Sequence, residues 1–267
     1  MKTVMSSFIT HLYAFIQEVE LTEEEWMTGI KFLTATGQMS TDQRQEFILL
    51  SDVLGVSMLV DMVNNNKPQG ATESTVLGPF YVENAPMLGA GANIARDVDG
   101  VPLFLSGKVL DTEGKPVANA LLDVWQASGL GLYDVQDTNQ PEFNLRGKFL
   151  TDVEGRYSFR TARPKSYPVP TDGPAGELLR AAGRHPFRPA HVHFIASAEG
   201  FNNLVMHIFD SEDEYLESDA VFAVKSSLVR EFNRHDTHNA DHDATLPLPY
   251  YTSEFDFVLT RPGEVAK

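Results

Sequence analysis

Two histidines, His191 and His193, stand one residue apart in RPAHVHF (Arg188 to Phe194), a stretch that alternates like a β-strand. Strand side chains point to opposite faces in turn, so the two imidazoles share a face with Cα atoms about 6.5–7 Å apart, and both rings can grip one metal ion. The chain has no cysteine, so further ligands must offer oxygen or nitrogen. The most conspicuous upstream candidates are two tyrosines, Tyr133 in GLGLYD and Tyr167 in PKSYPVPTDGP. A phenol with a pKa near ~10 binds as phenolate only where the cation is charged enough to strip its proton. Hard anionic oxygen donors favour a trivalent ion, whereas cysteine-free zinc sites usually take histidines and carboxylates. Two phenolates with two imidazoles therefore point to ferric iron. Arg188 adds a permanent cation beside the pair, a costly placement unless an anionic substrate or developing negative charge has to be met.

Each of these residues also has a plainer reading. A histidine pair on a strand can be packing, and a tyrosine after a Gly-rich turn is usually an amphipathic packing residue. A proline-flanked tyrosine usually sits on a surface polyproline segment. Against this, the glycines of SGLGL allow a tight loop that can bring the Tyr133 phenol back across a sheet end. Pro164, Pro168, Pro170 and Pro174 hold the Tyr167 loop extended at low entropic cost.

The elements that must position these groups fall into two parts. Residues 1 to about 65 read as three helices. Val4, Phe8, Leu12, Phe15, Ile16 and Val19 recur at helical spacing, and Thr22 with Glu25 forms a capping box for a second helix. Ser40 with Gln43 repeats that pattern ahead of an apolar run from Phe47 to Val63, which ends at NNNKPQG. Three helices hide such a surface poorly. It either packs on the rest of the chain or forms a homodimer interface, and the dimer is the preferred reading.

From about residue 70 the text changes to short strands: PLFLSGKVL, ALLDVWQA, HVHFIASA, LVMHIFD and EFDFVLT. KFLTDVEGRYSFRTARP reads as a hairpin turning at Glu154 and Gly155. One helix is expected among them, capped by Ser218 and carrying Val221, Phe222, Val224, Leu228, Val229 and Phe232 at helical period. The fold class is mainly β with an α-helical N-terminal part. A helical dimerisation domain over 1–70 is followed by a β-sandwich catalytic domain over 71–267.

Composition narrows the partners. The formal net charge of −16, from 37 acidic and 21 basic residues, repels nucleic acid and anionic lipid headgroups over most of the surface. No disulfide framework, N-glycosylation sequon or signal-peptide pattern is present, so a reducing cytoplasm is expected. No run of about 18 apolar residues occurs, so a membrane protein is not expected.

Taken together, these motifs resemble the intradiol ring-cleaving dioxygenases, which open catechol-type rings between the two hydroxylated carbons. The likeness runs from TESTVLGPFYVENAP through DVWQASGLGLYD, GRYSFRTARPKSYPVPTDGPAG and RPAHVHF to DEYLESDAVFAVK, most of the chain after the helices. It implies one Fe(III) per chain, with Tyr133 and His191 as equatorial ligands and Tyr167 and His193 as axial ones. It further implies that Tyr167 leaves as a base and that Arg188 meets negative charge on the opening ring. O2 and a small aromatic diol or triol would be the substrates, in the breakdown of aromatic compounds.

The helical segment resembles the catechol and hydroxyquinol branches. TVLGPFYV, where catechol-cleaving members tend to carry TIEGPLYV, and His207 in LVMHIFD, where they carry glutamine, both resemble the hydroxyquinol branch. That implies cleavage of benzene-1,2,4-triol to 3-hydroxy-cis,cis-muconate and maleylacetate, with catechol or a chlorocatechol as the alternative substrate. By motif match Val76, Leu77 and Pro79 are pocket-wall candidates, as is His207, although all four also read as core or turn packing. Family members can also hold a lipid between dimerised helical domains, so the resemblance implies a bound lipid as a further partner.

Three tempting motifs are set aside. HDTHNADHD (His235 to Asp243) fits no strand or helix face well and reads as a solvated loop. DSEDEYLESD lacks the mid-loop glycine of an EF-hand and reads as a loop leading into a helix. GLGLYD lacks the third glycine of a dinucleotide fingerprint. Trp125 is most simply a core aromatic.

Overall fold

The alternation of HVHFIAS is realised as a strand whose odd residues face one way and whose even residues face the other. A computed structural model describes residues 1–41, 44–96, 100–238 and 247–264. Four helices come first: α1 (Lys2–Glu18), α2 (Glu23–Met39), α3 (Glu46–Val53) and α4 (Val56–Asn64). Strands follow: β1 (Pro102–Asp111), β2 (Leu121–Trp125), β3 (Arg146–Leu150), β4 (Arg156–Ala162) and the short β5 (Tyr167–Pro168). Helix α5 (Pro174–Ala181) precedes β6 (Phe187–Arg188), β7 (His191–Ser197) and β8 (Leu204–Asp210). The last strands are β9 (Val229–Arg230), β10 (Asn233–His235), β11 (Tyr250–Glu254) and β12 (Phe257–Leu259).

Among the described residues the strands form two five-stranded sheets and a two-stranded ribbon of β5 and β6. In the first, β10, β11, β1 and β12 lie in that order, with β4 also paired to β1; in the second the order is β3-β2-β7-β8-β9. The sheets pack face to face through aromatic side chains. Phe159 of β4 meets Phe149 of β3 at 5.0 Å and Phe194 of β7 at 6.1 Å, while Phe257 of β12 meets Phe194 at 5.1 Å. This is a β-sandwich whose core is filled by the even-numbered face of β7, namely Val192, Phe194 and Ala196, all fully buried. Strand β1 serves two partners on one side, β11 by its first half and β12 by its second. The switch falls at Gly107, where a Cβ would lie 2.0 Å from Phe255 O, so no side chain can be tolerated.

The capping box forms as read: Thr22 Oγ1 accepts from Glu25 N, and Glu25 accepts from Thr22 N at 3.0 Å. Ser40 instead ends α2, donating its hydroxyl to Thr36 O, and α3 begins only at Glu46. Gln43, its expected partner, lies outside the described residues. Four helices therefore replace the expected three, because Gly55 at φ 74 breaks the apolar run into α3 and α4. Helix α1 has no buried residue and α2 buries only Thr36, so their apolar faces are open in the single chain.

Two strand-region expectations are overturned. Residues 148–164 do not form a hairpin, since β3 pairs with β2 and β4 with β1, in different sheets. The turn at Asp152–Gly155 is a corner of the sandwich. Asp152 Oδ1 accepts from Glu154 N and Arg156 N, and Gly155 lies so close to Val109 O that a Cβ would sit at 2.6 Å. Nor does a helix follow Ser218. The Asp219 carboxylate takes the Val221 and Ala223 amides, and Phe222 sits at φ 59, which together prevent helical closure. One 3-10 turn at Ser226–Leu228 is all that forms before β9. Among the described residues, the α-helix in this half of the chain is α5, in the proline-rich loop. Its first turn receives Glu46 Oε1 from α3, which accepts from Ala175 N at 3.1 Å.

Candidate metal centre

The odd-numbered face of β7 points away from the sandwich core and carries His191 and His193, both buried. Antiparallel pairing places Trp125 of β2 and His207 of β8 directly opposite His193, so three ring side chains form one row across the sheet. Trp125 stacks on His193 at 4.6 Å and 15°, and His207 meets it edge-on at 4.1 Å. Trp125 is buried, yet it supports the candidate site rather than the inter-sheet core.

Two loops close over this face. The loop after β2 turns at Gly131 and returns Tyr133 onto His193, with Tyr133 Oη 2.9 Å from His193 Nε2. Tyr167 of β5 lies opposite Arg188 of β6, and this two-stranded ribbon brings both over His191. Tyr167 Oη is 3.0 Å from Tyr133 Oη and 3.5 Å from His191 Nε2, while His191 Nε2 is 3.1 Å from His193 Nε2. Two oxygens and two nitrogens from three separate parts of the chain thus close a four-membered ring. Arg188 Nη1 lies 3.2 Å from His191 Nε2, and its Nε donates to Asp219 Oδ1 at 3.3 Å. The segment Val76–Tyr81 covers the remaining side: Gly78 faces His193 Cε1, Phe80 stacks on Tyr133 at 4.5 Å, and Tyr81 tilts against Trp125.

Electrostatics set the protonation of this cluster. Burial, and then the charged neighbour Arg188, pushes the His191 imidazole well below its usual pKa; for His193 burial dominates and the other two histidines add to it. Both rings are therefore neutral. Because Pro189 O can only accept, the 2.6 Å contact makes His191 Nδ1 the donor and leaves Nε2 with a bare lone pair aimed at the cluster. Burial raises both phenols, Tyr133 well above the usual range with Tyr167 adding to the rise, while Arg188 pulls both the other way. Arg188 keeps its charge: burial works against it, but Asp219 and the two phenols hold its pKa above the ordinary arginine value.

The donor set fits a metal ion. Ligand atoms each about 2.1 Å from a common ion and about 90–110° apart stand roughly 3.0–3.4 Å from one another, close to the 2.9–3.5 Å sides of this ring. His207 offers a further nitrogen, the three histidines presenting atoms within 4.8 Å of one another. Its Nδ1 is engaged with Thr75 Oγ1 at 3.1 Å, however, and its Nε2 is buried without a partner. Arg188 Nη2 and His193 Nδ1 are likewise buried and unpartnered. Orphaned polar atoms concentrated around one cluster mark a place built for a polar ligand.

Comparison with known proteins bears on the same residues. The family profile described as Dioxygenase matches residues 76–261, and the one described as Catechol dioxygenase N terminus matches 1–72. A hydroxyquinol 1,2-dioxygenase from Rhizobium sp. (strain MTP-10005) is 54% identical, covering 98% of this chain and 89% of the relative. The chain belongs to the intradiol ring-cleavage dioxygenases. This dioxygenase also superposes on the crystal structure of a hydroxyquinol 1,2-dioxygenase from Pseudomonas putida DLL-E4, with TM-score 0.92 and 50% identity over 97% of this chain and 91% of that one. A catechol 1,2-dioxygenase from Pseudomonas arvilla C-1 superposes with TM-score 0.87 at 34% identity, covering 100% and 88%.

Of the site residues read from the dioxygenase sequence, Tyr133, Tyr167, Arg188, His191 and His193 come together in one buried cluster. His207 adjoins it, and Val76 is buried beside it. Pro79 is half-buried, whereas Leu77 is 41% exposed. Phe80 and Asp219 were not legible as site residues, although Phe80 lies within the TVLGPF segment. The acidic cluster HDTHNADHD is only partly described. His235 stacks on Tyr250 and bonds Thr252 Oγ1, and residues 239–246 lie outside the described range.

Proposed function

We propose that this dioxygenase cleaves hydroxyquinol, benzene-1,2,4-triol, with O2 to 3-hydroxy-cis,cis-muconate, which tautomerises to maleylacetate. The bond between the two adjacent hydroxylated carbons breaks, and each of those carbons ends as a carboxylate. The observation that carries the reading is the closed ring of two phenol oxygens and two neutral imidazole nitrogens, together with 54% identity to a hydroxyquinol 1,2-dioxygenase.

Tyr133, Tyr167, His191 and His193 would hold one Fe(III) per chain. Two anionic oxygens suit a trivalent ion. When bound, the ion supplies a Lewis acid that favours the deprotonated diol and draws electron density from its ring, which opens the ring to O2.

The residues of the chain have distinct tasks. Tyr167 would act as the base: burial raises its pKa, so it would keep a proton taken from the substrate. Arg188, with Nη2 buried and unpartnered, donates to oxygen that becomes negative as the ring loses aromaticity. Trp125 and His207 fix the plane of His193, and Phe80 fixes that of Tyr133. Val76, Leu77 and Pro79 form the apolar wall against the substrate ring. His207 Nε2 supplies a polar contact for the third hydroxyl, which catechol lacks.

A second reading keeps the centre but makes catechol or a chlorocatechol the preferred ring, giving cis,cis-muconates; the fold similarity to the catechol enzyme favours it. Oxygen uptake with a panel of diols separates the two. Fast turnover of hydroxyquinol is expected, and fast turnover of catechol beside negligible turnover of hydroxyquinol overturns the assignment.

Residues 1–70 form the dimerisation part and 71–267 the catalytic part in this reading. Helix α1, 17 residues long with none buried, gains little from packing within one chain, and packing is the main source of helix stability. A second copy, with a lipid as a further guest, would cover α1, α2 and α4. Among the described residues no helix is long and apolar enough to cross a membrane. The chain has no cysteine, and a reducing cytoplasm is the compartment this reading gives the enzyme.

A further inference from the structure

Arg188 is the buried cation that reaches His191, and its direction is set from behind. Its Nε donates to Asp219 Oδ1 at 3.3 Å, and both side chains are almost fully enclosed, at 4% and 2% exposure. Asp219 is itself immobilised. Oδ1 also accepts from Val221 N at 3.2 Å and Oδ2 accepts from Ala223 N at 3.0 Å, so each carboxylate oxygen is tied to backbone.

The loop that carries Asp219 is docked onto the ribbon that carries Arg188. Ala220 N donates to Phe187 O, the residue before Arg188, at 3.0 Å, and Arg184 Nη2 donates to Ala220 O at 2.9 Å. Phe222, held at φ 59, receives Arg184 over its ring and packs against Gly55 at the start of α4. The helical segment, the loop and the ribbon therefore share one contact network whose inward end is the Asp219 carboxylate.

A guanidinium has five N–H groups in a fixed planar fork, so pinning Nε determines where Nη1 and Nη2 point. Nη1 is thereby directed to His191, and Nη2 is left buried and free of any partner. We propose that Asp219 is the positioning residue for Arg188, aiming Nη2 at the oxygen that gains negative charge during ring opening. The proposal rests on the reading of Arg188 given above. It also accounts for the missing helix after Ser218, because the Ala223 amide that a helical turn would return to Asp219 O is spent on fixing this carboxylate.

The test is steady-state oxygen uptake with hydroxyquinol on the iron-loaded full chain, with iron content and visible absorption recorded for each variant. Asp219→Asn is expected to lower kcat by at least about tenfold with KM changed less than about threefold, and with iron and colour retained. In an Arg188→Ala background the same change is expected to alter kcat by less than about twofold, because the residue it positions is gone. Asp219→Glu keeps the charge but displaces the carboxylate by one carbon; a drop of about fivefold or more is expected, which simple charge balance would not produce.

An equal loss from Asp219→Asn in both backgrounds overturns the proposal. So does kcat within about twofold of the parent in Asp219→Asn or Asp219→Glu while Arg188→Ala is slow. If Asp219→Asn does not fold, Asp219→Glu decides by the same criterion. An Arg188→Ala enzyme with undiminished turnover overturns the role of Arg188 instead, a distinct result.

Discussion

Gly131 lies against Tyr167 so closely that a Cβ on Gly131 would fall 2.7 Å from Tyr167 Cβ. The two residues belong to different loops, one returning Tyr133 and the other presenting Tyr167, and the missing side chain is what lets two phenols reach 3.0 Å of each other. Gly131 also sits at φ 77, where any other residue is strained. Gly131→Ala is therefore expected to cost about 1–3 kcal/mol of stability and to loosen metal retention. Thermal unfolding and metal content of the purified variant check this, and unchanged values for both would show that the loops do not depend on this contact.

Arg188→Ala tests the electrostatic assignment. With four donors untouched, the visible absorption is expected to persist, while turnover falls about 10²–10³-fold, the usual effect of removing one donor to developing negative charge. Turnover equal to the parent would remove Arg188 from the chemistry.

Acid stability of the metal-free protein tests the protonation of the site. Burial holds His191, His193 and His207 well below the ordinary value of 6.5 in the folded chain, whereas the unfolded chain titrates near that value. As pH falls below 6.5 the unfolded state takes up protons that the folded state refuses, so stability present above that pH is lost on acidification. Three such groups give a slope of up to about 4 kcal/mol per pH unit. Urea midpoints of chelated protein at several pH values read it directly, and His207→Gln should reduce the slope by one group. A flat profile between pH 7 and 5 would contradict neutral, buried imidazoles.

The open faces of α1 and α2 test the assembly. Phe8 and Leu12 are exposed large apolar residues on a helix that buries nothing. Phe8→Asp combined with Leu12→Asp is expected to convert a dimer to monomer in sedimentation equilibrium while leaving the sandwich folded. A parent protein already monomeric at micromolar concentration would contradict the pairing.

Legibility from sequence followed the range of the interactions involved. HVHFIAS and LVMHIFD become β7 and β8 almost residue for residue, because alternation with period two is a local property. The histidine pair was readable for the same reason. Register is not local: nothing in ALLDVWQA states that Trp125 will stand opposite His193, so its stacking role stayed hidden behind an ordinary core reading. The corner at Asp152–Gly155 carries the same turn residues as a hairpin, and only the partners of β3 and β4 distinguish the two. Residues 218–232 show helical spacing, yet the Asp219 carboxylate competes successfully for the amides. Helix α5 is short, and its first turn is completed by Glu46, 129 positions away in sequence.

The most direct measurement is metal content and visible absorption of the purified full-length protein, with Tyr133→Phe beside it. Close to one iron per chain is expected, with a reddish phenolate-to-ferric band that shifts and weakens in the variant. A colourless protein that binds no iron on loading, or a band indifferent to loss of the Tyr133 hydroxyl, would contradict a ferric centre held by Tyr133.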